Sequence, residues 1–130
     1  MLSGSRFSPR RLKAMAKLPL EHAAEVGDIG KLTGRVHDCG VGVLVGEKTA
    51  GTASLEGLVA LCENHSSSFE ASQVEEMVFY FDVFHDGQCN FEIEPALLGR
   101  IARLGATFAI SCYQESELVE EAVKRTPTQK

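Results

Sequence analysis

The clearest pattern along the chain lies at residues 77–93. Met77 to Phe84 is a run of β-formers in which Asp82 is the one polar residue, which predicts a buried central strand. Asp86-Gly87 follows, a dipeptide favoured in two-residue hairpin turns. Beyond it Cys89, Phe91 and Ile93 alternate with Gln88, Asn90, Glu92 and Glu94, predicting a second, half-buried strand of the same hairpin. Pro95 then opens a helix with Leu97, Leu98, Ile101 and Leu104 turned inward and Gly105 at its end. Phe108, Ile110 and Cys112 alternate in a further strand. Leu118, Val119, Ala122 and Val123 recur at helical spacing, and Lys124-Arg125 suits the end of that helix.

The first half is patterned more loosely. Leu2 to Phe7 reads as a short strand. Ser8-Pro9 starts a helix carrying Leu12, Met15 and Ala16, which Leu18-Pro19 stops. A glycine-bearing connection runs from Leu20 to Gly34. Val41, Val43 and Val45 have strand period, and the intervening Gly42 predicts close packing or a bulge. Thr52 or Ser54 caps a helix with Leu55, Leu58, Val59 and Cys62 on one face, ending near Asn64 to Ser68 unless Phe69 extends it.

These elements predict an α+β fold: a mixed β-sheet with helices on one face, in a ferredoxin-like layout (βαβαββαβ) plus a C-terminal helix. The strands on either side of the Pro95 helix should run parallel, joined by a crossover. Pro9-x-x-Leu12-x-x-Met15-Ala16-Lys17-Leu18 echoes Pro95-x-x-Leu98-x-x-Ile101-Ala102-Arg103-Leu104. Shared helix grammar or two related strand–helix–strand halves would both produce that echo. A length of 130 residues suits a single domain over residues 1–125, with 126–130 as a disordered tail.

Several of the same segments carry a resemblance. Phe7-Ser8-Pro9 with Leu12 and Leu18, the Gly27-Asp28 loop, and Glu94-Pro95-Ala96-Leu97-Leu98 through Leu104-Gly105-Ala106 to Tyr113 are similar to an uncharacterised bacterial family, domain of unknown function 4279. The resemblance spans residues 4–113, and its motifs are structural punctuation. The chain departs from the family pattern in its short first strand and in the helix after Tyr113. The resemblance implies no activity. It suggests an accessory or mobile gene cassette product, with an immunity-type protein-binding module as one role.

Charge and candidate chemistry narrow the function classes without selecting one. The net charge is −5. Residues 1–35 hold seven Lys/Arg against three Asp/Glu, and the remainder six against fifteen. Arg6, Arg10, Arg11, Lys13 and Lys17 form a basic cluster, but the sequence pI is near 5.3 and Phe7 is the one aromatic within it. That argues against nucleic acid and for a solvated helix face or contact with an acidic partner. No apolar run approaches the roughly 20 residues of a membrane span, and the start lacks the apolar core of a secretion signal. The expectation is a cytoplasmic protein with no membrane partner.

Cys39, Cys62, Cys89 and Cys112 show no close pair of the zinc or redox kind, which predicts reduced core thiols. Cys89 and Cys112 are expected near one another. Gly27 to Gly34 fails the phosphate-loop pattern, with Glu25 where a glycine belongs and Leu32 where Ser or Thr belongs. His37-Asp38-Cys39, His85-Asp86 and the Glu92/Glu94 pair lack the converging partners that metal binding or acid–base chemistry needs. The sequence therefore assigns no catalytic, metal or cofactor-binding residue.

Tyr80 and Phe84 should lie on the sheet face opposite Phe79 and Phe81. With helices on one face only, that second set needs a cover. The expectation is a small binding or structural module that forms a homo-oligomer or meets a protein partner, through Tyr80, Phe84, Leu118, Val119 and Val123. The alternatives are a C-terminal helix folded over that face, and a small-molecule or enzymatic pocket near the Gly27–Gly34 loop.

Overall fold

The start of the first helix can be traced to two side chains that stop the backbone from continuing extended. Ser8 sits at φ −119°, ψ 105°, and its hydroxyl accepts the Arg11 N–H at 3.2 Å. Pro9 supplies a pre-set φ at the first helical position. In the computed structural model, which describes residues 1–48 and 51–115, this helix is α1 (Pro9–Ala16), preceded by β1 (Leu2–Gly4). Lys17, left-handed at φ 51°, closes α1 by donating its N–H to the Lys13 carbonyl. Leu12 faces inward as expected. Met15 does not: it is exposed, and Ala16 takes the packing position beside the core.

The remaining elements are β2 (His22–Ala24), β3 (Gly40–Val43), α2 (Ala53–Asn64), α3 (Ser66–Ala71), β4 (Glu76–His85), α4 (Pro95–Arg103) and β5 (Thr107–Gln114). They form a mixed α+β fold whose five strands lie in the order β2-β3-β1-β4-β5. β1 pairs antiparallel with both β3 and β4, β2 pairs antiparallel with β3, and β4 pairs parallel with β5. β1 and β2 are thus parallel with β3 between them, so α1 spans a split crossover. α4 instead joins two adjacent parallel strands. The two halves of the sequence echo are both strand–helix–strand units, but they enclose different numbers of strands.

Two expectations of the strand pattern are corrected. The connection after Leu20 contains β2, whose His22-Ala23-Ala24 carries no strand signature. Residues 89–93 are not a strand, so the hairpin at Asp86-Gly87 does not form and the predicted βαβαββαβ succession is not the one observed. The physical reasons are visible at the turn and at the sheet edge. A type I′ turn needs positive φ at both central residues. Gly87 has it, at φ 84°, and Asp86 does not. One edge of β4 is taken by β5, which pairs with it over eight residues, from Val78↔Thr107 to His85↔Gln114, and residues 89–93 pair with neither edge. The parallel partner of β5 is therefore β4 itself.

One cluster holds the layers together. Leu2 and Phe79 from the sheet meet Leu12 of α1, Leu55, Val59 and Cys62 of α2, Phe69 of α3, and Leu97 and Ile101 of α4. The four helices among the described residues thus pack on one face. Phe69, which sequence left as a possible extension of α2, belongs to the separate turn-and-a-half of α3. Leu98, expected inward, is exposed; Leu97 and Ile101 carry the apolar stripe of α4. Gly42 allows the close packing that its place between the valines predicts, and Gly40 allows a closer approach still. A Cβ on Gly40 would run into the Phe7 carbonyl, and one on Gly42 would press on Leu20 and on the Phe7 ring. Ser72, the one fully buried hydroxyl among the described residues, donates to the Ser68 and Phe69 carbonyls at 2.8 and 3.2 Å.

β2 and β3 extend beyond the sheet as a two-stranded arm. Ile29 bridges Val36, the Gly30 N–H donates to the Arg35 carbonyl at 2.8 Å, and the His37 N–H donates to the Asp28 carbonyl at 2.7 Å. The Gly27–Gly34 loop is the outer part of this arm, with Leu32 wholly exposed near its tip. The predicted C-terminal helix, with Leu118, Val119 and Val123, and the tail at 126–130 lie outside the described residues.

Candidate interaction surface

Strand alternation divides the side chains of β4 between two environments. Phe79 is buried among the helices, with Met77 and Phe81 packed against the same core. Tyr80, Asp82 and Phe84 point the other way and are exposed. Parallel pairing brings Ala109 beside Tyr80, Ser111 beside Asp82 and Tyr113 beside Phe84. The Phe84 and Tyr113 rings stack, with centroids 5.3 Å apart and planes 21° from parallel. Tyr80 is 57% exposed, Phe84 53% and Tyr113 42%. Register carries this surface across the sheet: Val41 and Val43 of β3 share it, beside Ser3 and Met1. The strand residues of this face include carboxylates at Asp82 and Glu76 and no lysine or arginine, and the Met1 ammonium donates to the Val78 carbonyl beside them at 2.7 Å.

The structure thus brings together two of the five residues that sequence assigns to an interface, Tyr80 and Phe84. It adds Tyr113, which sequence reasoning missed. The signal was present in the strand alternation, since Tyr113 falls out of phase with Phe108, Ile110 and Cys112. What sequence could not supply was the register that sets it beside Phe84.

An apolar cleft of about 700 Å³ opens beside this surface. β1 pairs with β4 only near Glu76 and Met77, so among the described residues the rest of β4 has a partner on its β5 side alone. The cleft lies along that unpaired edge. Val43 to Lys48 form its opposite wall, Leu55, Leu58 and Cys62 of α2 its floor, and Tyr80 and Phe84 reach its rim. No residue of the Gly27–Gly34 loop lines it, so this cleft is not the pocket that sequence placed near that loop.

The candidate chemical residues are spread apart. Nδ1 of His85 donates to the Gly87 carbonyl at 3.1 Å and so serves the local turn. His37 is tied through its backbone into the arm. Glu92 and Glu94 sit in the irregular segment before α4, with Glu94 at the helix N-cap position but making no side-chain cap bond there. No three His, Cys, Asp or Glu side chains converge as a metal site among the described residues. Of the four cysteines, Cys62 alone is fully buried, and burial pushes its thiol up to about 11. Cys39 and Cys89 are half-buried and Cys112 is exposed, so the expected core role holds for Cys62 only. Cys112 is in the second half of β5.

No helix among the described residues is long and apolar enough to cross a membrane. No family model, curated protein or solved structure matches the chain.

Proposed function

We propose that this protein is a binding module that acts by association, and that a second copy of the chain covers the Tyr80–Phe84–Tyr113 face. The observation that supports this reading is the Tyr80–Phe84–Tyr113 end of the face, which no described residue covers. The four described helices spend their apolar stripes on the opposite side, while three aromatic side chains and the two valines of β3 remain exposed or half-exposed here. Contiguous apolar surface of this kind marks an interaction site. Two sheets meet well face to face at about 10 Å when each contributes alternate side chains. A twofold arrangement lets the same patch serve both partners, which an identical pair of stacked rings suits geometrically.

The test is light scattering of the full chain over a wide concentration range, beside the Tyr80→Asp/Phe84→Asp double variant. The expected result is a dimer mass for the natural chain and a folded monomer for the variant. A natural chain that stays monomeric at the highest concentrations overturns the proposal. So does a variant that is folded and still dimeric.

The cleft beside β4 favours a second reading, a site for an elongated apolar ligand. Its walls are largely aliphatic and aromatic, as in most small-molecule sites. A ligand there would raise the melting temperature without changing the mass, which separates it from self-association.

A further inference from the structure

We propose that Cys89 and Cys112 form a redox-responsive dithiol, a site of reversible disulfide formation that staples the 86–94 segment to β5. The two sulfurs lie 3.4 Å apart, although 23 residues separate them in sequence. A disulfide bond is about 2.05 Å long, so forming one requires an approach of roughly 1.4 Å. The segment carrying Cys89 can supply that movement. It has no helix or strand between His85 and Pro95, and it rests on the sheet through the Phe91 ring, edge-on to Phe81 at 5.8 Å.

The two other cysteines make the contrast. Cys62 is enclosed by the core, and its raised thiol value keeps it protonated and inert. Cys39 lies just before β3, on the far side of β1 from this pair. Cys112 is exposed and receives the S–H of Cys89. That hydrogen bond, with desolvation second, pushes the Cys89 thiol above its ordinary value. Cys112 is therefore the sulfur placed to attack first, and Cys89 the one placed to resolve.

The co-reactant is a low-molecular-weight disulfide. The Cys112 thiolate attacks one of its sulfurs, its S–S bond breaks, and one small thiolate leaves and takes up a proton. The deprotonated Cys89 then attacks the Cys112 sulfur of the mixed disulfide and releases the second small thiol. Two protein thiols are oxidised to one disulfide while one small disulfide is reduced to two thiols. The closed loop contains all of α4, and it ends one residue before Tyr113. Oxidation would thus fix the end of β5 beside the Phe84–Tyr113 stack. The dithiol itself does not depend on what covers that face.

The test equilibrates the full chain with defined ratios of oxidised and reduced glutathione, blocks the remaining thiols, and maps bonds by mass spectrometry after cleavage at glutamate. Glu63 to Glu76 separate Cys62 from Cys89, and Glu92 and Glu94 separate Cys89 from Cys112, so the peptides are distinct. The expected result is one cross-link joining the peptides of Cys89 and Cys112, with Cys62 reduced. The melting temperature should rise on oxidation by on the order of 10 °C, given a closed loop of this length. Cys112→Ser should abolish both effects while keeping the reduced protein's melting temperature. Glutathione adducts on either cysteine without the cross-link, a bond to Cys39, or no reaction in oxidised glutathione alone would each overturn the proposal.

Discussion

Ser8 and Glu25 show how much one polar side chain decides when it stands at a helix end. The Ser8 hydroxyl accepts from Arg11 and donates to the Glu25 carboxylate at 3.1 Å, and the same carboxylate accepts the Arg10 N–H at 2.7 Å. Two of the backbone donors left over at the start of α1 are thereby satisfied, and a negative charge stands at the positive end of the helix. Ser8→Ala removes the cap and the contact to Glu25 together. The expected cost is about 1 kcal/mol, measured as a lower midpoint in urea with an unchanged slope. A midpoint equal to that of the natural chain would show that Glu25 alone suffices. Sequence made Ser8 legible, because capping is a local rule. Glu25 was not, because no periodicity links residues 15 to 17 apart across a strand. Asp86 shows the converse limit. Its dipeptide with Gly87 is a strong hairpin signal, yet the residue keeps a negative φ and the chain takes another path.

At the scale of elements, sequence located the long ones and misjudged how they pair. α1, α2, α4, β4 and β5 all appear where periodicity places them, because each carries enough apolar residues to show its period. β2 has three residues and two alanines, too little pattern to read. Pairing fails for a different reason: alternation within residues 89–93 records side chains that face in and out, and a chain draped over a sheet can do that without a ladder. Helix contacts depend on partners that sequence cannot foresee either. Glu63 on α2 and Arg100 on α4 meet in a forked ion pair, with Nη2 to Oε1 at 2.7 Å and Nε to both oxygens at 3.1 and 3.2 Å. The hydrogen bond from Arg100 holds the Glu63 carboxyl below its ordinary value of 4.5. A depressed folded value means that the pair's contribution is complete above pH 4.5 and is lost as pH falls through the lower folded value. Glu63→Gln should therefore lower the melting temperature at pH 7, and the gap to the natural chain should close in acid. A gap independent of pH would show that the substitution acts through packing and not through charge.

For the whole molecule, the most informative feature is where charge and apolar surface lie relative to one another. Residues 1–35 carry a net +4 and the rest −9, and the exposed face of β4 and β5 belongs to the acidic part. Its strand carboxylates are Asp82 and Glu76, with no strand lysine or arginine beside them. The Met1 ammonium, bonded to the Val78 carbonyl, offsets only part of that charge, and Lys48 lines the adjoining cleft together with Glu47. Two copies meeting through this face would bring like charges together, so electrostatics opposes the contact while burial of Tyr80, Phe84 and Tyr113 favours it. The two terms respond oppositely to salt. At 0.15 M the screening length is about 8 Å and at 1 M about 3 Å, so added salt removes the repulsion and leaves the apolar term in place. Association through this face should therefore tighten between low and high sodium chloride, read as a lower dissociation constant in sedimentation equilibrium. Contact through the basic helix α1 and an acidic neighbour would weaken over the same range, because its attraction is the part that salt screens. Tighter association at high salt, lost in the Tyr80→Asp/Phe84→Asp variant, assigns the contact to the aromatic face. Loosening at high salt assigns it to α1 and leaves the aromatic face without the role proposed for it.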